Sequence, residues 1–191
     1  MKYAIILTTA CITGLSACDS PTPPSYSAQD VTRIYAGYDR VNGLPLTPTA
    51  DLPAGHGTYD GHIDGAVSGD VDGAIVGDMR MEINFITNDI GGTIDNVNYV
   101  DEAGVPEQLL GGSLHIDGDL TNGSLSANAT GNLTAVGDEH IRGSAATDLA
   151  LSGDIRTDSR DGDAVAGTVV GTATGDFDMT LTNGAFYGID D

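Results

Sequence analysis

From Gly57 onward, apolar and polar residues take turns along the chain, and this period of two limits the fold more than any other feature of the sequence. The stretch MRMEINF (79–85) is the cleanest case, with Met79, Met81, Ile83 and Phe85 set against Arg80, Glu82 and Asn84. Tyr59, Ile63 and Val67 alternate in the same way with Thr58, Asp60, His62 and Asp64. Leu114, Ile116 and Leu120 oppose Ser113, His115, Asp117 and Asp119, while Leu125, Ala127, Ala129 and Leu133 oppose Ser124, Ser126, Asn128 and Thr130. Ile141, Ala145, Leu149, Leu151 and Ile155 face away from Arg142, Ser144, Asp148, Ser152 and Asp154, and Phe177, Met179 and Leu181 close the series. A helix cannot keep such a pattern on one face. Antiparallel strands with one side in a core and one in water require it.

Two less regular stretches, 91–100 and 164–175, bring the number of strands to about eight, joined by turns such as Thr121-Asn122-Gly123 and Asp161-Gly162-Asp163. Eight antiparallel strands can close around an interior that side chains just fill. Gly61, Gly65, Gly118, Gly131, Gly143, Gly153, Gly167 and Gly171 all fall on the apolar side, where small residues permit the sharp coiling of a narrow barrel. The expected fold is therefore all-β, a small eight-stranded antiparallel barrel over residues 55–191. It does not read as a membrane-spanning barrel, because Asp recurs on the polar face of nearly every strand and aromatic girdles are missing.

Residues 27–54 carry a different period. Val31, Ile34, Tyr35, Tyr38 and Val41 recur at helical spacing, and Ser27 with Asp30 makes a capping-box-like start. The connector NGLPLTPTADLPAG (42–55) follows, with three prolines that end the pattern. Further upstream, residues 1–17 read as a secretory signal, with Lys2 before an apolar run from Tyr3 to Leu15 that is too short to span a bilayer. Leu15-Ser16-Ala17-Cys18 resembles the lipobox of bacterial lipoproteins. The resemblance implies cleavage before Cys18 and lipidation of its thiol and amine, which gives stable attachment to a membrane. Residues 18–26, with Pro21, Pro23 and Pro24, then form an extended stalk. Cys11 leaves with the signal and Cys18 is lipidated, so no disulfide is expected.

The net charge of −21 argues against nucleic acid and anionic lipid surfaces as partners. His56, His62, His115 and His140 form no short-spaced pair with a second His or Cys and are expected on the surface. The acidic stretches 68–78 and 158–164 lack the EF-hand register and the Gly-Gly-x-Gly-x-Asp nonapeptide, so they read as plain acidic turns. Gly-x-Ser-x-Gly and phosphate-loop motifs do not occur. No catalytic residue, metal ligand or cofactor is expected, and Tyr59 and Phe85 are expected to fill the core. The segment DEAGVPEQLL (101–110) is the longest interruption between strands and is expected to expose Val105, Leu109 and Leu110 to a partner.

Three stretches carry a family likeness. LPAGHGTYDGHIDG (52–65), GDMRMEINFITNDIGGTIDNV (77–97) and NGAFYGID (183–190) resemble the entry strand, the next hairpin and the Gly-x-Phe-Tyr-Gly element of transferrin-binding-protein-like bacterial lipoproteins. The resemblance implies an eight-stranded barrel beside a smaller handle-like part, surface display, and, in some members, binding of host iron-carrier or haem proteins. The Ala-x-Glu-x-Gly-Gly strand that usually follows Phe-Tyr-Gly in the family does not follow here. The expected function is a lipid-anchored, non-enzymatic binding protein of the cell envelope, on the outer rather than the inner membrane. A Ca²⁺-dependent surface adhesin and a structural envelope lipoprotein are the alternatives.

Overall fold

Strand β1 (His56–Gly69) pairs with β2 (Gly73–Asn84) on one side and with β9 (Met179–Asp190) on the other, and this double pairing closes the sheet into a ring. The computed structural model describes residues 24–137, 139–158 and 162–190. The signal, Cys18 and most of the stalk, together with residues 159–161 of the second acidic turn, lie outside the described residues. Between β2 and β9 come β3 (Asp89–Val100), β4 (Pro106–Gly111), β5 (Leu114–Thr121), β6 (Ser124–Ala135), β7 (Ser144–Asp158) and β8 (Gly162–Gly175), and every pairing is antiparallel.

Among the described residues nine strands thus stand where about eight were expected, yet they occupy eight positions. β4 pairs with the end of β3 (Val97 opposite Leu110), and β5 pairs with its start (Ile94 opposite Leu114). Both also pair with β6, so β4 and β5 form one interrupted stave. This overturns the expectation of a long loop over 101–110. Only a tight turn separates β3 from β4, closed by Asp101 N–H on Val105 O at 2.9 Å and Gly104 N–H on Asp101 O at 3.0 Å. Val105 is exposed as expected, but Leu110 is buried in the core and Leu109 is half-covered.

The alternation decides which side chains go inside. Tyr59, Ile63, Met79, Met81, Ile83, Ile116, Leu149 and Val169 pack with one another within the ring, each nearly excluded from water. At roughly 1.5–3 kcal/mol for each large apolar side chain removed from water, this interior is the main source of stability. Phe85 lies at its edge, partly buried against it. Gly143 is a correction: it sits in a bend before β7 with φ of 78°, outside the strands, while the other seven glycines of the apolar face lie within them.

Two strands change sides part-way. In β3, Ile90 and Ile94 point inward, and then Val97 and Tyr99 do, because Asn96 (φ 51°) is an extra residue opposite β2. In β9, Met179 and Leu181 point inward, and after the bulge at Asn183 (φ 51°) it is Phe186 that does. Asn tolerates the left-handed region better than other residues with a Cβ, which suits it to both places. The bulge in β9 leaves Phe186 inside and its neighbour Tyr187 outside.

Tyr187 is covered by α1 (Ala28–Asn42). Ser27 and Asp30 form the expected capping box, and Val31, Ile34 and Val41 pack on Val76, Val100, Ala164, Ala166 and Tyr187 of the outer wall. Gly37 lets the helix approach, since a Cβ there would collide with the Tyr187 hydroxyl. Arg156 of β7 secures the other end, donating from Nη1 to the carbonyls of Asn42 (2.8 Å) and Leu44 (2.9 Å). The connector then pairs briefly with the end of β7, where Thr47 N–H meets Ile155 O and Thr157 N–H meets Pro45 O, both at 3.0 Å. No helix among the described residues is long and apolar enough to cross a membrane.

Candidate functional site

Strand register lines up eight outward side chains in two rows across β9, β1, β2 and β3. One row runs Ile189, Asp60, Arg80, Thr93, and the next runs Tyr187, His62, Asp78, Asp95. A groove of about 460 Å³ lies along these rows, floored by Gly61 and Met79. Beside it, a smaller hollow of about 200 Å³ between the wall and α1 is lined by Tyr26, Asp30, Arg33 and Ile34 and shares His62 and Tyr187 with the groove.

The charges in the groove are mostly spoken for. Arg80 Nη1 donates to both carboxylate oxygens of Asp60, at 3.1 and 3.0 Å, and its Nε lies 3.8 Å from Glu82. Asp78 is the hub of the second row. Its Oδ1 accepts the Tyr26 hydroxyl at 2.5 Å and stands 3.2 Å from His62 Nδ1, while its Oδ2 accepts Asn96 Nδ2 at 2.8 Å. Burial pushes the Asp78 carboxyl up, but the hydrogen bonds from His62, Tyr26 and Asn96 outweigh it and hold it down at about 2. Burial, then the bond to Asp78, pushes the Tyr26 phenol well above its ordinary range. Asp78 therefore stays a carboxylate at neutral pH, and the tautomer of His62 that donates from Nδ1 completes its shell. The His62 ring lies between Tyr26 (centroids 6.1 Å apart) and Tyr187 (5.7 Å).

The entering chain is locked to this cluster. Ser25 N–H donates to Asn98 Oδ1 at 2.9 Å, Asn98 Nδ2 donates to Ser25 Oγ at 2.8 Å, and Ser25 Oγ donates to Asn96 Oδ1 at 2.5 Å. Ser25 and Tyr26, assigned to the stalk from the sequence, are thus tied to the barrel wall. Asn98 is fully buried and Asn96 occupies the bulge of β3, so the irregularity in that strand serves to receive Ser25 and Tyr26.

The four histidines part company. His56, His115 and His140 are exposed, the last 3.4 Å from Glu107, whereas His62 is drawn into the cluster at the edge of α1. Among the described residues, no group of three or more His, Cys, Asp or Glu is arranged to hold a metal ion. The acids of the turns instead fix backbone: Asp178 N–H donates to Asp70 Oδ2 at 2.9 Å, and Ser144 N–H donates to Asp176 Oδ2 at 3.0 Å. Tyr26, Asp78, Asn96 and Tyr187 are site residues that alternation alone does not single out. For Asp78 the signal that could have found it is register: once Val67 is set opposite Gly73 across the first turn, His62 falls opposite Asp78 and Asp60 opposite Arg80.

Chemically, the wall offers a shaped, hydrogen-bonding surface in which Asp60, paired with Arg80, and Asp95 are exposed acids and Thr93 supplies a hydroxyl on β3. Comparison with protein-family models, with curated proteins and with solved structures finds no match for this chain.

Proposed function

We propose that this protein is a lipid-anchored, non-enzymatic binding module of the cell envelope, of the transferrin-binding-protein-like kind, which meets a protein partner on the outer wall of its barrel. One observation carries the choice of the outer wall. The interior is occupied by Tyr59, Ile63, Met81, Phe186 and their neighbours, all nearly water-free, so a ligand is met outside it. The groove along β9, β1, β2 and β3 is the candidate contact, and an iron-carrier or haem protein is the partner class that the family likeness suggests. Among the described residues the chain is first tied to the barrel at Ser25, C-terminal to Cys18, and lipidation at Cys18 is compatible with that order. The outer membrane is the proposed location.

Two measurements test this. Cys18→Ser, expressed in a Gram-negative host, is expected to lose incorporation of labelled fatty acid and to move from the detergent phase to the aqueous phase. Unchanged labelling and partition would overturn the anchor. The delipidated domain, used as bait for haem and iron-carrier proteins, is expected to capture a partner that an Arg80→Glu, Asp95→Lys variant releases. Capture undiminished in that variant would overturn the groove as the contact.

A further inference from the structure

Asp64 stands in an unusual place for an acid. It projects outward from β1, half-buried, with Val76 of β2 and Ala185 of β9 as its in-register neighbours, and Val76, like nearby Tyr187, is packed under α1. Among the described residues, no hydrogen bond or ion pair reaches its carboxylate. The charge of α1 that acts on it is another acid, Asp39, and its own field reaches the phenols of Tyr35 of α1 and Tyr187 of β9. The cations nearby are engaged elsewhere: Arg40 binds Asp158 at 2.6 Å, and His62, two residues along β1, faces Asp78. An ionised Asp64 is therefore half-buried, uncompensated and opposed by Asp39, and it has those difficulties only while α1 is down.

We infer that α1 is a pH-set strap, held flat against the barrel when Asp64 is protonated and loosened when Asp64 is ionised. Loosening uncovers the apolar patch of Val76, Val100, Ala166 and Tyr187, which the helix otherwise covers. Burial, with Asp39 adding to it, raises the Asp64 carboxyl from 3.8 to about 6 with the helix docked. The sign follows from linkage. A group whose pKa is raised in the closed state stabilises that state fully below its ordinary value, and the contribution is lost as pH rises through about 6. Asp78, held down at about 2, keeps its charge throughout and does not contribute to this window.

Hydrogen exchange of the α1 amides, followed by NMR and corrected for intrinsic rates, reads the opening. Protection at Ile34, Tyr35 and Tyr38 is expected to fall about tenfold from pH 5 to pH 7.5, while protection of β6 and β7 stays level. Asp64→Asn removes the charge and keeps the shape, so its helix is expected to be equally protected at both values. Carbon-detected titration of Asp64 gives a second reading, with an expected midpoint near 6. Helix protection that does not change with pH, a pH dependence that survives in Asp64→Asn, or an Asp64 midpoint near 4 would each overturn the strap.

Discussion

Phe186→Ala is expected to lower the unfolding free energy by about 3–5 kcal/mol, the range for removing a fully buried aromatic ring from a core. The ring is fully buried and meets a floor made for it. Gly153 and Gly167 face each other across β7 and β8, and Cβ atoms built on them would come within 2.7 and 2.6 Å of the Phe186 ring. An aromatic side chain set over bare strand backbone recovers the packing that the glycines give up. With Phe186 gone, both glycines line a void on the inner face of β7 and β8. The midpoint of thermal unfolding is expected to fall by about 10 °C. A loss below about 1 kcal/mol would mean that the ring is not the keystone of the interior.

Gln108→Ala is the second large expectation. Gln108 is 1% exposed on β4, a polar side chain pointing into the end of the barrel. Its Oε1 accepts the N–H groups of Ile141 (2.8 Å) and His140 (3.2 Å), and its Nε2 donates to Ile141 O at 2.8 Å. β4 pairs with β6 only at Leu110 and Gly111, so this amide replaces a missing stretch of ladder between β4 and the segment leading into β7. Truncation leaves a buried N–H and a buried carbonyl of Ile141 unpaired, at about 1–3 kcal/mol each. The expected total is about 3 kcal/mol, with exchange protection lost first at Val136 and Ile141 rather than throughout the barrel. Chemical denaturation and site-resolved exchange read both. A uniform loss of protection would place the role of Gln108 in the global fold instead of the seam.

The same residue explains where the sequence misleads. In PEQLLG the inward positions are Pro106, Gln108 and Leu110, so a polar residue stands where the pattern calls for an apolar one, and the strand reads as loop. β3 and β9 are blurred for another reason. An Asn in the left-handed conformation adds a residue in each, and the inward set switches from even to odd in β3 and from odd to even in β9. β8 loses its alternation at Ala164 and Ala166 because α1 covers its outer face there. Strands with one face in water, such as β5 and β6, are legible residue by residue. Ser27 and Asp30 mark the helix start correctly because a cap is a local interaction. The groove is not legible, since it arises from pairings between strands up to about 130 residues apart in sequence, such as Asp60 with Ile189. Periodicity tells which face a side chain takes, and it is silent on which side chain stands next to it.

The most direct test is whether β1 has neighbours on both sides. Backbone NOEs in the folded domain are expected to connect Ile63 to Gly77 of β2 and also to Phe186 of β9, with slow exchange for amides along both seams. That result joins the two ends of the strand series around the apolar interior, the premise on which the proposed outer-wall contact rests. Contacts from β1 to β2 alone, with fast exchange along β9, would describe an open sheet and contradict the account.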